Sequence, residues 1–189
     1  MAKDSSRTGT SDNKRKRLVR QKPPPIDVQP GQRFEPHVSL IQERLIGRTI
    51  IEFSRLDHML SELIWHILKL EMKDGRLITT RMPPENKIAM LRILVPRHFD
   101  GFGCRAILGA LDYADLIRED RNFIAHGLWG ILTPYNGAMV ASVRVKTDPT
   151  TIICEAFPPE RLRAIIDGTK LAMKILRRFA PERGPLPEK

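Results

Sequence analysis

A mainly helical fold, an up-and-down bundle with a small antiparallel β-meander inserted before its last helix, is what this sequence predicts, and three observations predict it. Apolar residues recur at helical spacing from about Val38 to Leu70, from Cys104 to His126 and from Pro159 to Phe179. The period switches to alternation directly after Gly127 and stays there until about Ala156. The links within that alternating region are short, centred on Asn136-Gly137 and on Asp148-Pro149, which suits neighbouring antiparallel strands.

The first helix is announced by Ser39 and Gln42, spaced as a capping box, and Ile46, Ile50, Phe53, Leu56, Leu60, Leu63, Ile64 and Ile67 form its inward stripe. Residues 73–81 read as a connection, with Asp74-Gly75 as turn chemistry. Pro83 and Pro84 pre-set a short second helix whose apolar face is Ile88, Leu91 and Val95, and Pro96 is expected to end it. Asp100 to Gly103 reads as a loop, and a third helix follows from about Cys104 to His126, stopped by Gly127. Trp129–Leu132, Ala138–Lys146 and Thr151–Ala156 are the expected strands. A last helix starts at Pro158-Pro159, turns Leu162, Ile165, Ile166, Thr169, Ala172, Met173, Leu176 and Phe179 inward, and stops before Pro181. The domain therefore spans 37–180, with the β insertion at about 128–157 and a short tail at 181–189. No internal repeat is present.

A chain of 189 residues with 41% hydrophobic content can bury one core of this size. Charges interrupt every long apolar run, and the N-terminus has no hydrophobic segment, so the expectation is a cytoplasmic protein with no membrane span and no signal peptide. Cys104 and Cys154 match no metal or redox spacing and read as buried free thiols. The net charge is +10, and residues 1–25 carry +6 of it. Residues 1–36 are rich in Ser, Thr, Pro, Lys and Arg and read as a disordered basic tail. Within it Lys14, Arg15, Lys16 and Arg17 are candidate RNA phosphate contacts, or else a solvated arm.

Three motif matches carry no function. Gly101 to Ala106 spells GxGxxA, but no strand precedes it, so it lacks the setting in which a dinucleotide pyrophosphate is cradled. His58, Glu62 and His66 lie along one helix line, with the histidines about 12 Å apart at 1.5 Å per residue, too far for one metal. No phosphate-binding Gly-rich loop and no nucleophile elbow occurs. No metal or other cofactor is expected.

What remains is Arg121-Asn122-Phe123-Ile124-Ala125-His126. Arg121 falls on the inward stripe with Ala110, Ala114, Ile117, Ile124 and Leu128, where a charge must be paired or serve a ligand. Asp57 falls on the inward stripe of the first helix and is the first candidate partner. Arg121 and His126 are five apart, so on an unbroken helix they diverge by about 140°. Either the helix loosens before Gly127, or a second copy brings its own pair across a two-fold axis. Asn122, four before His126, stands where its amide can fix the imidazole orientation. A purely structural account is also open, with Arg121 paired to Asp57 or Asp120 and His126 capping the helix end.

The RxxxxH spacing, its place late in a helical bundle and the following Gly127-Leu128-Trp129 resemble HEPN domains. The resemblance covers about residues 38–180 and leaves out the sheet insertion and the basic tail. It implies an HEPN-like bundle, a homodimer with a composite site, and metal-independent endoribonuclease activity in a toxin-type or phage-defence setting, with an antitoxin or other regulatory protein as a further partner. His126 would move the proton of the ribose 2′-hydroxyl or of the leaving 5′-oxygen, and Arg121 would stabilise charge on the phosphoryl oxygens. Products would carry 2′,3′-cyclic phosphates, and DNA would resist. The alternative is a catalytically inactive HEPN-like dimer that binds nucleic acid or a protein partner.

Overall fold

A computed structural model describes residues 33–133, 140–145 and 152–180. The tail residues Lys14 to Arg17, the turns at Asn136-Gly137 and Asp148-Pro149, and residues 181–189 lie outside the described residues, as does the side chain of Cys154. The chain is mainly helical: α1 (Leu40–Ile67), α2 (Met72–Thr79), α3 (Pro84–His98), α4 (Gly101–His126) and α5 (Pro159–Arg177). Among the described residues, no helix is long and apolar enough to cross a membrane.

The Ser39 and Gln42 capping box forms at the start of α1: the Ser39 hydroxyl accepts from the Gln42 amide, and the Gln42 side chain accepts from the Ser39 amide at 3.2 Å. α1 then buries Leu56, Leu60, Leu63 and Ile64 against Ile88 and Leu91 of α3, Ile107, Leu111, Ile117 and Ile124 of α4, and Leu162, Ile165 and Leu176 of α5. Each such side chain contributes about 1.5–3 kcal/mol by leaving water. In the resulting bundle α1 packs on α3 and α5, α4 closes the ring between those two, and α1 also touches α4 across it.

The four long helices do not simply alternate in direction, because α2 comes between α1 and α3. Lys87 of α3 meets Asp57 of α1, and ten or so residues further along each helix His98 and Phe99 share a groove with Ile67 and Leu70, so α1 and α3 run parallel. Arg92 bonds Asp112 while Phe99 lies by Gly103, so α4 runs against α3. Arg161 bonds Asp120 while Phe179 lies by Gly103, so α5 runs against α4 and along α1. The physical cause is α2, which occupies the stretch expected to be a mere connection. Its Thr79 hydroxyl accepts from Trp65 Nε1 at 3.0 Å, folding the chain back beside α1 so that α3 restarts in the same direction.

Two helix boundaries also move, and a third stands with a different cap conformation. Pro96 lies inside α3, within its last turn, where the proline ring removes one helical donor and the helix still reaches His98. α4 begins at Gly101 rather than Cys104, because Gly101 adopts φ +51° and turns the chain into the helix immediately after Asp100. Gly127 ends α4 with φ −82° and ψ 157°, an extended conformation open to any residue, and β2 starts at the next position.

Four strands pair antiparallel in the order β1 (Arg33–Glu35), β2 (Leu128–Thr133), β3 (Val140–Val145), β4 (Ile152–Ala156). β1 corrects the expectation that the tail is disordered through residue 36. The free edge of β2 offers unpaired backbone donors and acceptors, and Arg33, Phe34 and Glu35 pair there with Thr133, Leu132 and Ile131. At the bundle end of the sheet the ring of Phe157 lies 5.7 Å from Phe123 and 5.8 Å from Trp129, which fixes the sheet to the C-terminal end of α4.

Candidate functional site

Arg121 reaches across from α4 to α1. Its guanidinium carbon lies 5.2 Å from the centre of the Phe53 ring, and one terminal nitrogen donates to the Asn122 side-chain oxygen at 3.0 Å. Its Nε is buried and has no hydrogen-bond partner. No described carboxylate pairs with it. A cation held by a ring face and a neutral amide keeps most of its charge available to an anion.

Asp57 is not its partner. Both Asp57 carboxylate oxygens accept from Lys87 Nζ, at 2.9 and 2.8 Å, and the Lys87 side chain is only 6% exposed. Burial of the Lys87 ammonium makes a carboxylate partner necessary, and Asp57 supplies it. The other structural partner considered for Arg121, Asp120, accepts from Arg161 at 2.7 Å. Arg161 also donates to Glu155 at 2.9 Å and to the Ala156 carbonyl at 2.8 Å, and it stacks on Phe157 at 3.9 Å. These bonds join the start of α5, the end of β4 and the last turns of α4.

His126 is exposed at the end of α4 and makes no hydrogen bond to a described residue. No hydrogen bond joins Asn122 to His126, and the Asn122 oxygen instead accepts from Arg121, its immediate neighbour. α4 does not loosen before Gly127 either. The Gly127 amide donates to the Phe123 carbonyl at 2.9 Å, and Trp129 Nε1 donates to the Ile124 carbonyl at 2.9 Å, so the last turn is closed and capped. With helical geometry kept to the end, Arg121 faces the bundle and His126 faces out, diverging by about 140°. One chain does not aim both groups at one atom.

Lys87 and Arg161 are the buried charges that sequence reasoning missed. Both stand on inward stripes, Lys87 one turn before Leu91 and Arg161 one turn before Ile165, which is the signal that singled out Arg121. Glu52 is a further one: it is 2% exposed and pairs with Arg48 at 2.5 Å and Arg55 at 3.2 Å. His58 shares a 3.4 Å contact with Glu62 and packs edge-on to Trp65. Among the described residues no group of three or more His, Cys, Asp or Glu is placed to hold a metal ion.

No protein-family model, no curated protein and no solved structure matches this chain.

Proposed function

We propose that the protein is an HEPN-like, metal-independent endoribonuclease whose active site is completed by a second copy of the chain. The observation that supports this best is Arg121. The charges of Asp57, Lys87, Asp120 and Arg161 are spent on one another, whereas the Arg121 guanidinium rests on Phe53 and Asn122 with no carboxylate. The intact last turn of α4 leaves a two-fold pairing as the route by which Arg121 and His126 converge on one phosphodiester.

In that arrangement the ribose 2′-oxygen attacks the adjacent phosphorus and the 5′-oxygen leaves. The His126 of one protomer takes the 2′-hydroxyl proton and returns a proton to the leaving 5′-oxygen. Arg121 neutralises the charge that builds on the non-bridging oxygens. The products are a 2′,3′-cyclic phosphate and a 5′-hydroxyl. Incubation of the purified protein with RNA in EDTA is expected to give cyclic phosphate ends, with the matching DNA uncut and His126→Ala inactive. Intact RNA under these conditions, or equal cleavage by His126→Ala, defeats the proposal.

A further inference from the structure

The C-terminal half of α5 exposes Lys170, Lys174, Arg177 and Arg178, and none of them has an ion pair with a described carboxylate. Lys170, Lys174 and Arg177 recur at helical spacing on one stripe that runs about 10 Å along the axis. Like charges at this spacing repel and weaken a helix. The negative end of the helix dipole offsets only part of that, and only over the last turn. The carboxylates on this side of α5, Glu160 and Asp167, both precede Lys170.

The stripe also lines a concavity of about 380 Å³ with Met173 and Arg178. Through Met173 and Arg177 this concavity opens into a groove of about 690 Å³ between α5 and α1, where Ile51 supplies exposed apolar surface. On the α1 wall of that groove Arg55 pairs with Glu52 and His58 contacts Glu62, whereas the α5 cations have no described carboxylate partner.

We propose that this α5 stripe is a phosphate-binding track for single-stranded RNA, with bases laid against Ile51 and Met173. A chain phosphate neutralises each cation and removes the repulsion between them. A lipid surface fits less well, since the main apolar face of α5, with Leu162, Ile165, Ala172 and Leu176, is used in the bundle core. α5 runs against α4, so the track lies at the end of the bundle away from His126, about 24 Å along the axis from Arg161 to Arg177. A bound strand is therefore extended, and short oligonucleotides bind poorly.

The choice of RNA over another polyanion rests on the proposed ribonuclease reading, so the test separates the two. Binding of a labelled single-stranded RNA of about 20 nucleotides is measured by anisotropy over a range of salt, in full-length protein carrying His126→Ala so that cleavage does not intervene. Lys170→Glu/Lys174→Glu/Arg177→Glu is compared with Lys73→Glu/Arg76→Glu/Arg81→Glu, which makes the same change in net charge on and beside α2. The α5 variant is expected to bind at least about tenfold more weakly and to flatten the salt dependence by about two units of slope, at roughly 0.7 per phosphate contact, with the α2 variant close to the parent. Gln at the same three α5 positions is expected to give the same direction without the added repulsion, which guards against a folding defect. Equal losses in the α5 and α2 variants, or no loss in either, overturn the track. So does an effect confined to vesicles of anionic phospholipid. Failure of the wild type to cut RNA leaves this binding result standing, and a cutting enzyme with an indifferent α5 stripe loses the track alone.

Discussion

Arg121 and Lys87 show how alike two buried cations look in sequence and how differently they are used. Each interrupts an apolar stripe, yet Lys87 is locked to Asp57 by two bonds of 2.9 Å or less, while Arg121 meets only Phe53 and Asn122 among the described residues. Asp57→Ala leaves Lys87 buried without a partner and is expected to destabilise the fold by about 3 kcal/mol. Adding Lys87→Met removes the orphaned charge and is expected to recover most of that loss, measured by urea unfolding as a double-mutant cycle. Arg121→Lys, by contrast, is expected to leave the unfolding midpoint nearly unchanged and to lower RNA cleavage by about two orders of magnitude, because an ammonium lacks the planar fork that grips two phosphoryl oxygens. A large drop in stability with cleavage retained would make Arg121 a packing residue. Stripe position marked Arg121 as anomalous and is a signal that Lys87 also carries; that Lys87 meets Asp57 was not legible, since partners 30 or more residues apart depend on how the helices are stacked.

At the scale of elements, the start of α1, the end of α4 and the start of α5 were legible because capping and proline chemistry is local, as with Ser39 and Gln42. α2 was not, because Asp74-Gly75 is turn chemistry in isolation and is helical only against Trp65. A β-carbon at Gly75 would sit 2.5 Å from that indole, which is buried and tied through Nε1 to Thr79. Gly75→Ala therefore gains helix propensity, about 1 kcal/mol, but has to displace the ring. Net destabilisation of about 1–3 kcal/mol is expected, read as a shift of the thermal midpoint together with a change in tryptophan fluorescence. A stabilised Gly75→Ala would show that α2 slides freely on α1. Since α2 sets the direction of α3, an error here changes the topology of the bundle while leaving its core residues almost intact, which is why the core was readable and the helix directions were not.

For the whole molecule the proposed two-fold site turns on where two copies of α4 would meet. Because Arg121 faces inward and His126 outward on one unbroken helix, a composite site takes Arg121 from one protomer and His126 from the other. Arg121→Ala and His126→Ala chains are each expected to be inactive alone. Unfolded together and refolded at equal concentration, half of the dimers are mixed, and each mixed dimer regains one of its two sites, so activity is expected to return to about a quarter of wild type. A site needing both His126 side chains, one as base and one as acid, would instead stay silent in the mixture, which would assign the proton transfers to two histidines in a single shared centre. Cleavage at wild-type level by either variant alone would remove Arg121 or His126 from the chemistry. A protein that stays monomeric by light scattering at every concentration tested while still cutting RNA would remove the two-fold site, since the geometry of α4 offers no way for one chain to bring the two groups together.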